Sequence, residues 1–176
     1  MAKRQINKRV PSVVLISDAR NDAALDRAIA RLPHGSALVF RHYHLPPVER
    51  RARFEILRKL ARLHRIKVIG ARVPRSWRTD GVYGTPAEIA GKPGLRLATA
   101  HSLSEIGAAT RVGAHAVLLS PVYATRSHPG APALGALRFV MLARRAPLPV
   151  IALGGMTRAR AARLPVHGWA AIDGLA

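Results

Sequence analysis

At 176 residues the chain has the length of one domain and can bury a substantial core. A hydrophobic fraction of 49% excludes a disordered chain, no apolar run reaches the ~18 residues of a membrane span, and the lack of cysteine excludes disulfides, thiolate metal sites and a cysteine nucleophile. Lysine and arginine number 29 against 9 acidic residues, a formal charge of +20 that attracts phosphorylated ligands, nucleic acid or anionic membrane, and that a solvated basic surface explains equally well.

Residues 1–12 read as a basic N-terminal arm on a single domain spanning 1–176. The apolar stretch Val13–Ile16 runs straight into Ser17-Asp18 and is too short for a signal peptide, which predicts a cytoplasmic protein. Val13–Ile16 is itself the first predicted strand, followed by a helix over Asp22–Arg31. Ala37–Phe40 is the second strand. Pro46-Pro47 then opens a helix to Leu63 with an apolar face of Phe54, Ile56, Leu57, Leu60 and Ala61. Lys67–Gly70 and Gly81–Tyr83 read as strands three and four, with room for one helical turn at most between them. Thr85–Glu88 and Ser102–Glu105 each match a capping box, in which the hydroxyl caps the amide three residues on and the glutamate reaches back. Leu95–Ala98 and Ala116–Leu119 are strands five and six. A loop from Ser120 leads to a helix over Leu134–Arg145. Pro149–Leu153 is strand seven, a short helix begins after Gly154-Gly155, and Trp169–Ile172 is strand eight.

Near-continuous apolar strands alternating with helices predict a parallel sheet covered on both faces. Eight such units favour an α/β fold closed as a (β/α)₈ barrel over an open doubly wound sheet. The chain is short for such a barrel and stops at Ala176, so the final helix is expected to be missing and a homo-oligomer is expected to cover that flank.

The strands carry ordered motifs. Val13–Asp18 ends in Ser-Asp, and Val39-Phe40-Arg41-His42-Tyr43 places an arginine at the end of strand two. Asp80-Gly81-Val82-Tyr83-Gly84 follows, then Thr99-Ala100-His101 leading to Glu105. Gly113–Val117 precedes Ser120-Pro121-Val122-Tyr123-Ala124-Thr125-Arg126-Ser127-His128, Pro149–Met156 carries Gly-Gly, and Gly168–Leu175 closes the series. In this order, from Val13 to Leu175, the segments resemble the thiamine-phosphate synthase/TenI family.

The resemblance implies a barrel that joins hydroxymethylpyrimidine diphosphate to thiazole phosphate, with Mg²⁺ on the departing pyrophosphate. Its partners are then small phosphorylated pyrimidine and thiazole ligands. Catalytic roles fall to Arg41, a fork of donors for pyrophosphate at the face where barrels place their chemistry, and to Thr99 near the pyrimidine. Phosphate contacts fall to Arg41, Thr125, Ser127, His128, Gly154, Gly155 and Ile172; Tyr43, Arg72 and Tyr83 are further candidates at the mouth. His101 reads as structural beside a helix cap. His42 and His44 lack a third ligand, so no metal site is assigned.

The departures from the family pattern are specific. Val39 and Tyr43 stand for Gln and Lys, and Gly70-Ala71-Arg72 replaces an Asn-Asp pair. Thr85-Pro86-Ala87 stands where a second Mg²⁺ carboxylate belongs, and His128 replaces a lysine. Asp173 brings a negative charge to the phosphate cradle in place of serine. Pro121 replaces the histidine of the thiazole tautomerase branch, which disfavours that activity. Arginines at the mouth, Arg72 among them, are expected to offset the lost carboxylates. Three functions follow: a divergent synthase, a TenI-like non-catalytic binder of a thiazole or thiamine phosphate, and a basic nucleic-acid-binding protein, the last disfavoured by 5% aromatic content and no nucleic-acid motif.

Overall fold

The apolar runs of the sequence form eight short parallel strands in a computed structural model that describes residues 10–127, 130 and 132–175. They are β1 (Val13–Ile16), β2 (Ala37–Phe40), β3 (Lys67–Ala71), β4 (Gly81–Gly84), β5 (Leu95–Ala100), β6 (Ala116–Leu119), β7 (Val150–Ala152) and β8 (Gly168–Ala171). Each pairs with its successor, and β8 pairs back on β1 with Val14 opposite Ala170, so the barrel closes by strand pairing.

Period-two alternation sorts the side chains. Val14, Val39, Ile69, Leu97, Leu118 and Ile151 pack inside with the alanines Ala37, Ala116 and Ala170. Outward residues Leu15, Leu38, Phe40 and Val68 meet Leu25 and Ile29 of α1 (Leu25–Arg31) and Phe54 and Leu57 of α2 (Pro47–Leu63). On the far side, Ala98, Val117, Leu119 and Ala152 meet Ile106 of α4 (Leu103–Arg111) and Phe139 of α5 (Gly135–Arg145). Full burial of each such large side chain is worth about 1.5–3 kcal/mol, which fixes the register of every strand.

Economy in the helical layer explains how so short a chain forms the barrel. Both α3 (Pro86–Ile89) and α6 (Arg158–Ala161) are single turns, and a 3₁₀ turn, Arg75–Trp77, is the whole helical content between β3 and β4. Trp77 does the covering there, its ring 4.8 Å from that of Phe54. After β8 comes the 3₁₀ turn Asp173–Leu175.

Residues 1–9 of the expected arm lie outside the described residues. Residues 10–12 are not an arm: Val10 is buried, its carbonyl meets Nε2 of His167, and the carbonyl of Ser12 accepts the amide of Trp169. Among the described residues no helix is long and apolar enough to cross a membrane.

Candidate active site

Alternation sets an inward position at or just past the C-terminal end of several strands, and these positions converge at the C-terminal mouth. Arg41 follows Val39, Thr99 follows Leu97, Ser120 follows Leu118, Leu153 follows Ile151 and Ile172 follows Ala170. Together with the βα loops they line a cavity of about 760 Å³. Ten of the residues singled out in the sequence border it: Arg41, Tyr43, Arg72, Tyr83, Thr99, Thr125, Ser127, Gly154, Gly155 and Ile172. His128 lies outside the described residues.

The β2–β3 side is a cluster of arginines around one ring. The guanidinium carbons of Arg41, Arg50 and Arg72 lie 5.4, 5.3 and 5.6 Å from the centroid of Tyr43. Arg50 comes from the first turns of α2 and is a clamp. Its Nε and Nη2 donate to the carbonyl of Arg41, Nη2 also to that of Ala71, and Nη1 to that of Arg72. These carbonyls end β2 and β3 where the chain turns away through left-handed residues, His42 at φ 39° and Arg72 at φ 49°. Non-glycine residues hold such φ values only where their surroundings enforce it.

For His42 the surroundings are a buried polar chain. Its Nε2 lies 2.8 Å from Asp22 Oδ1 and its Nδ1 2.7 Å from Ser17 Oγ, which accepts the amide of Arg41. Because the carboxylate only accepts, Nε2 carries the proton and Ser17 donates to Nδ1. Burial pulls the His42 pKa below its ordinary value against the attraction of Asp22. Burial works against the Asp22 carboxylate, yet hydrogen bonds from His42 and Arg53 hold its pKa below the usual range. The ring of His44 is 5.2 Å from that of His42, but both His42 nitrogens are engaged. The strand ends at Phe40, and the left-handed turn at His42 breaks any further alternation through residues 42–44.

Opposite lies the β6–β7–β8 side. Gly154 and Gly155 take φ of 97° and 60°, and a Cβ on either would press into the loop after β6, 2.7 Å from Pro121 Cα or 2.5 Å from the Ala124 carbonyl oxygen. This contact seats the loop that carries Thr125 and Ser127. Thr125 Oγ1 accepts the amide of Ser127, and Ser127 Oγ accepts from Arg20. Arg160 stacks its guanidinium 4.6 Å from the Tyr123 centroid and donates to the carbonyl of Gly155. Asp173 faces Arg20 and Arg126 at 3.7 and 3.8 Å, so its charge is offset.

Between the two sides the floor is apolar and aromatic, with Ile16, Leu153 and Ile172 beside Tyr83. Burial among protein atoms pushes the Tyr83 phenol up to about 12, so it stays a donor at neutral pH. Glu88 rims the floor. Its Oε2 accepts from the Thr85 amide and its Oε1 from Arg72 Nε at 2.6 Å, and these bonds, Thr85 first, hold its pKa below the usual range. The second predicted capping box is only half formed. Ser102 caps Glu105, but the Glu105 carboxylate turns to the amide and Nδ1 of His101, which also borders the cavity.

Sequence reasoning missed Arg50, Glu88, Arg20 and Arg160. Arg50 carried no signal distinguishing it from its helical neighbours. For Glu88 the capping box was the signal: one helical turn returns the carboxylate over Gly84.

Residues 89–175, just under half of the chain, match the family model described as thiamine monophosphate synthase (TMP-TENI). A protein of Aquifex aeolicus (strain VF5) named "Putative thiamine-phosphate synthase 2" is 39% identical over 59 residues, 34% of this chain and 32% of that one, so the match spans about a third of the relative's length. The structure of a thiamine phosphate pyrophosphorylase from Pyrococcus furiosus superposes with a TM-score of 0.78 at 21% identity, covering 96% of this chain and 88% of that one. A thiamine phosphate pyrophosphorylase from Bacteroides thetaiotaomicron gives a TM-score of 0.62 at 14% identity, covering 94% and 84%. At these identities the two structures establish the shared barrel and no more.

Proposed function

We propose that this chain, which belongs to the thiamine monophosphate synthase (TMP-TENI) family, joins hydroxymethylpyrimidine diphosphate to thiazole phosphate. The observation that carries the reading is one cavity with a basic side at β2–β3, a second basic side at β6–β8 and an apolar floor between them. Two phosphorylated substrates with flat rings suit that layout. The diphosphate lies toward Arg41 and Arg72, the acceptor phosphate lies toward Thr125, Ser127 and the Gly154-Gly155 backbone, and the pyrimidine lies over Tyr83 and Thr99. In the reaction a C–N bond forms between the thiazole nitrogen and the pyrimidine's methylene carbon. The C–O bond to the diphosphate breaks, and its electron pair leaves with the diphosphate. Guanidiniums fixed where that charge grows lower the barrier, since their orientation is set beforehand.

Mg²⁺ comes with the family, but the oxygen donors at this mouth do not suit it. A hard cation wants several uncommitted oxygens, with carboxylates foremost. Glu88 is committed to Thr85 and Arg72, and Asp173 faces Arg20 and Arg126 on the other side. Among the described residues no three His, Cys, Asp or Glu come together.

The test supplies both substrates to the purified protein, follows thiamine phosphate, and runs Arg41→Ala alongside. Product that falls at least a hundredfold in the variant supports the synthase. The commitment of both mouth carboxylates to arginines favours a second reading, a non-catalytic binder of thiazole or thiamine phosphate. Binding without product from folded protein selects it.

A further inference from the structure

We infer that the β2–β3 side of the cavity is a diphosphate site that works without a divalent cation, with Arg72 as the residue that takes the cation's place. The inference rests on the synthase reading only for the identity of the substrate that carries the diphosphate.

Three cationic side chains share one ring, which crowds positive charge against itself. Arg50 is accounted for by the strand-end carbonyls it clamps. Arg41 is not. The Arg41 guanidinium has no hydrogen-bond acceptor among the described residues. Its ion pair with Asp18 is a loose one, Nη2 to Oδ2 at 3.9 Å, while the Asp18 Oδ1 accepts from Arg20 Nε at 3.0 Å. A half-buried guanidinium aimed into a cavity with unused donors calls for an anion from outside the chain.

Arg72 supplies the second half of the cradle. Its side chain is 67% exposed at the rim, while its backbone is locked by the left-handed turn and by Arg50. The backbone is therefore preset and the guanidinium can swing. Its partner Glu88 is an internal anion, held on its far oxygen by Thr85, and it occupies Arg72 when no ligand is present. A diphosphate bridging Arg41 and Arg72 brings more negative charge than one carboxylate and displaces it. Two forked guanidiniums on an aromatic shelf then supply both the neutralisation and the geometry that a bridging cation supplies elsewhere.

The experiment is calorimetric titration of the full chain with inorganic pyrophosphate, once in EDTA and once in MgCl₂. Tight binding in EDTA, weakened on the order of ten- to a hundredfold by Arg72→Gln, is the expected result, because one charge-assisted pair is removed. Glu88→Gln keeps the capping box but drops the competing charge, so it is expected to tighten binding severalfold; a merely structural glutamate would not do that. Circular dichroism checks that both variants fold. Binding that requires Mg²⁺, no binding under either condition, or Arg72→Gln binding like wild type overturns the inference. Pyrophosphate bound in EDTA by a protein that forms no thiamine phosphate leaves the inference standing and removes the synthase reading. Synthesis strictly dependent on Mg²⁺ does the reverse.

Discussion

Replacing Arg50 with methionine keeps the apolar stem of the side chain but removes four hydrogen bonds to the carbonyls of Arg41, Ala71 and Arg72. A hydrogen bond from a charged donor is worth about 1.5–3 kcal/mol net when its acceptor cannot turn to water. These carbonyls sit at the barrel mouth, where water reaches part of the gap, so the expected total is about 2–4 kcal/mol rather than the full sum. For a domain of this size each kcal/mol lowers Tm by roughly 2–4 °C, which predicts a fall of about 5–15 °C in thermal unfolding followed by circular dichroism. Lysine at this position keeps the charge but not the fork, so Arg50→Lys is expected to recover less than half of the loss. The clamp also sets the backbone that presents Arg41 and Arg72, so pyrophosphate affinity is expected to fall in Arg50→Lys even where the protein is fully folded. A Tm within about 2 °C of wild type for Arg50→Met refutes the reasoning, because it means that the carbonyls never depended on the guanidinium.

Gly155→Ala forces a Cβ to 2.5 Å from the Ala124 carbonyl oxygen at φ 60°, at a cost of about 1–3 kcal/mol. On the proposed synthase reading it is expected to raise KM for thiazole phosphate more than KM for the diphosphate, which steady-state kinetics on each substrate checks. His42 supplies a pH prediction. Its pKa is depressed below 6.5 in the fold, so the unfolded chain takes up the proton first and stability falls as pH drops below about 6.5. Asp22, also depressed, adds its own loss only below about pH 4, and neighbouring His44 and Arg53 add to the cost of a charged His42. Urea unfolding across pH 5–7 is expected to show this slope in wild type and a flatter one in His42→Asn; equal slopes would refute the assignment.

The barrel was legible because its strands are buried on both faces and so read as unbroken apolar runs: Ala37–Phe40 and Ala116–Leu119 are buried at every position. The helical layer was legible where caps announced it, at Thr85 and Ser102. What linear spacing could not carry was the return of a side chain by one helical turn. A carboxylate was sought directly after Gly84, and Thr85-Pro86-Ala87 held none, yet Glu88 folds back until its Oε2 lies 2.7 Å from where a Cβ on Gly84 would be. His42 illustrates the same limit. Alternation would place it opposite Arg41 on a continuing strand, but the strand ends at Phe40 and the left-handed turn drives the imidazole inward to Ser17 and Asp22.

The excess of arginine sharpens the point. As a net charge of +20 it suggests only that anions are attracted. In the fold the same residue type does opposite things within one cluster. Arg50 is saturated by three carbonyls and acts as scaffold, Arg53 binds Asp22 and holds the His42 chain, and Arg41, which borders the cavity, has among the described residues only a loose ion pair with Asp18. The difference lies in which acceptors surround each guanidinium, a property of three-dimensional placement that composition does not contain. Because Arg50 is already satisfied, an arriving diphosphate gains nothing from it directly. Arg50→Lys, which keeps the charge, should therefore weaken binding only through the backbone, whereas Arg72→Gln should weaken it through lost charge, and only the second loss should shrink as salt is raised.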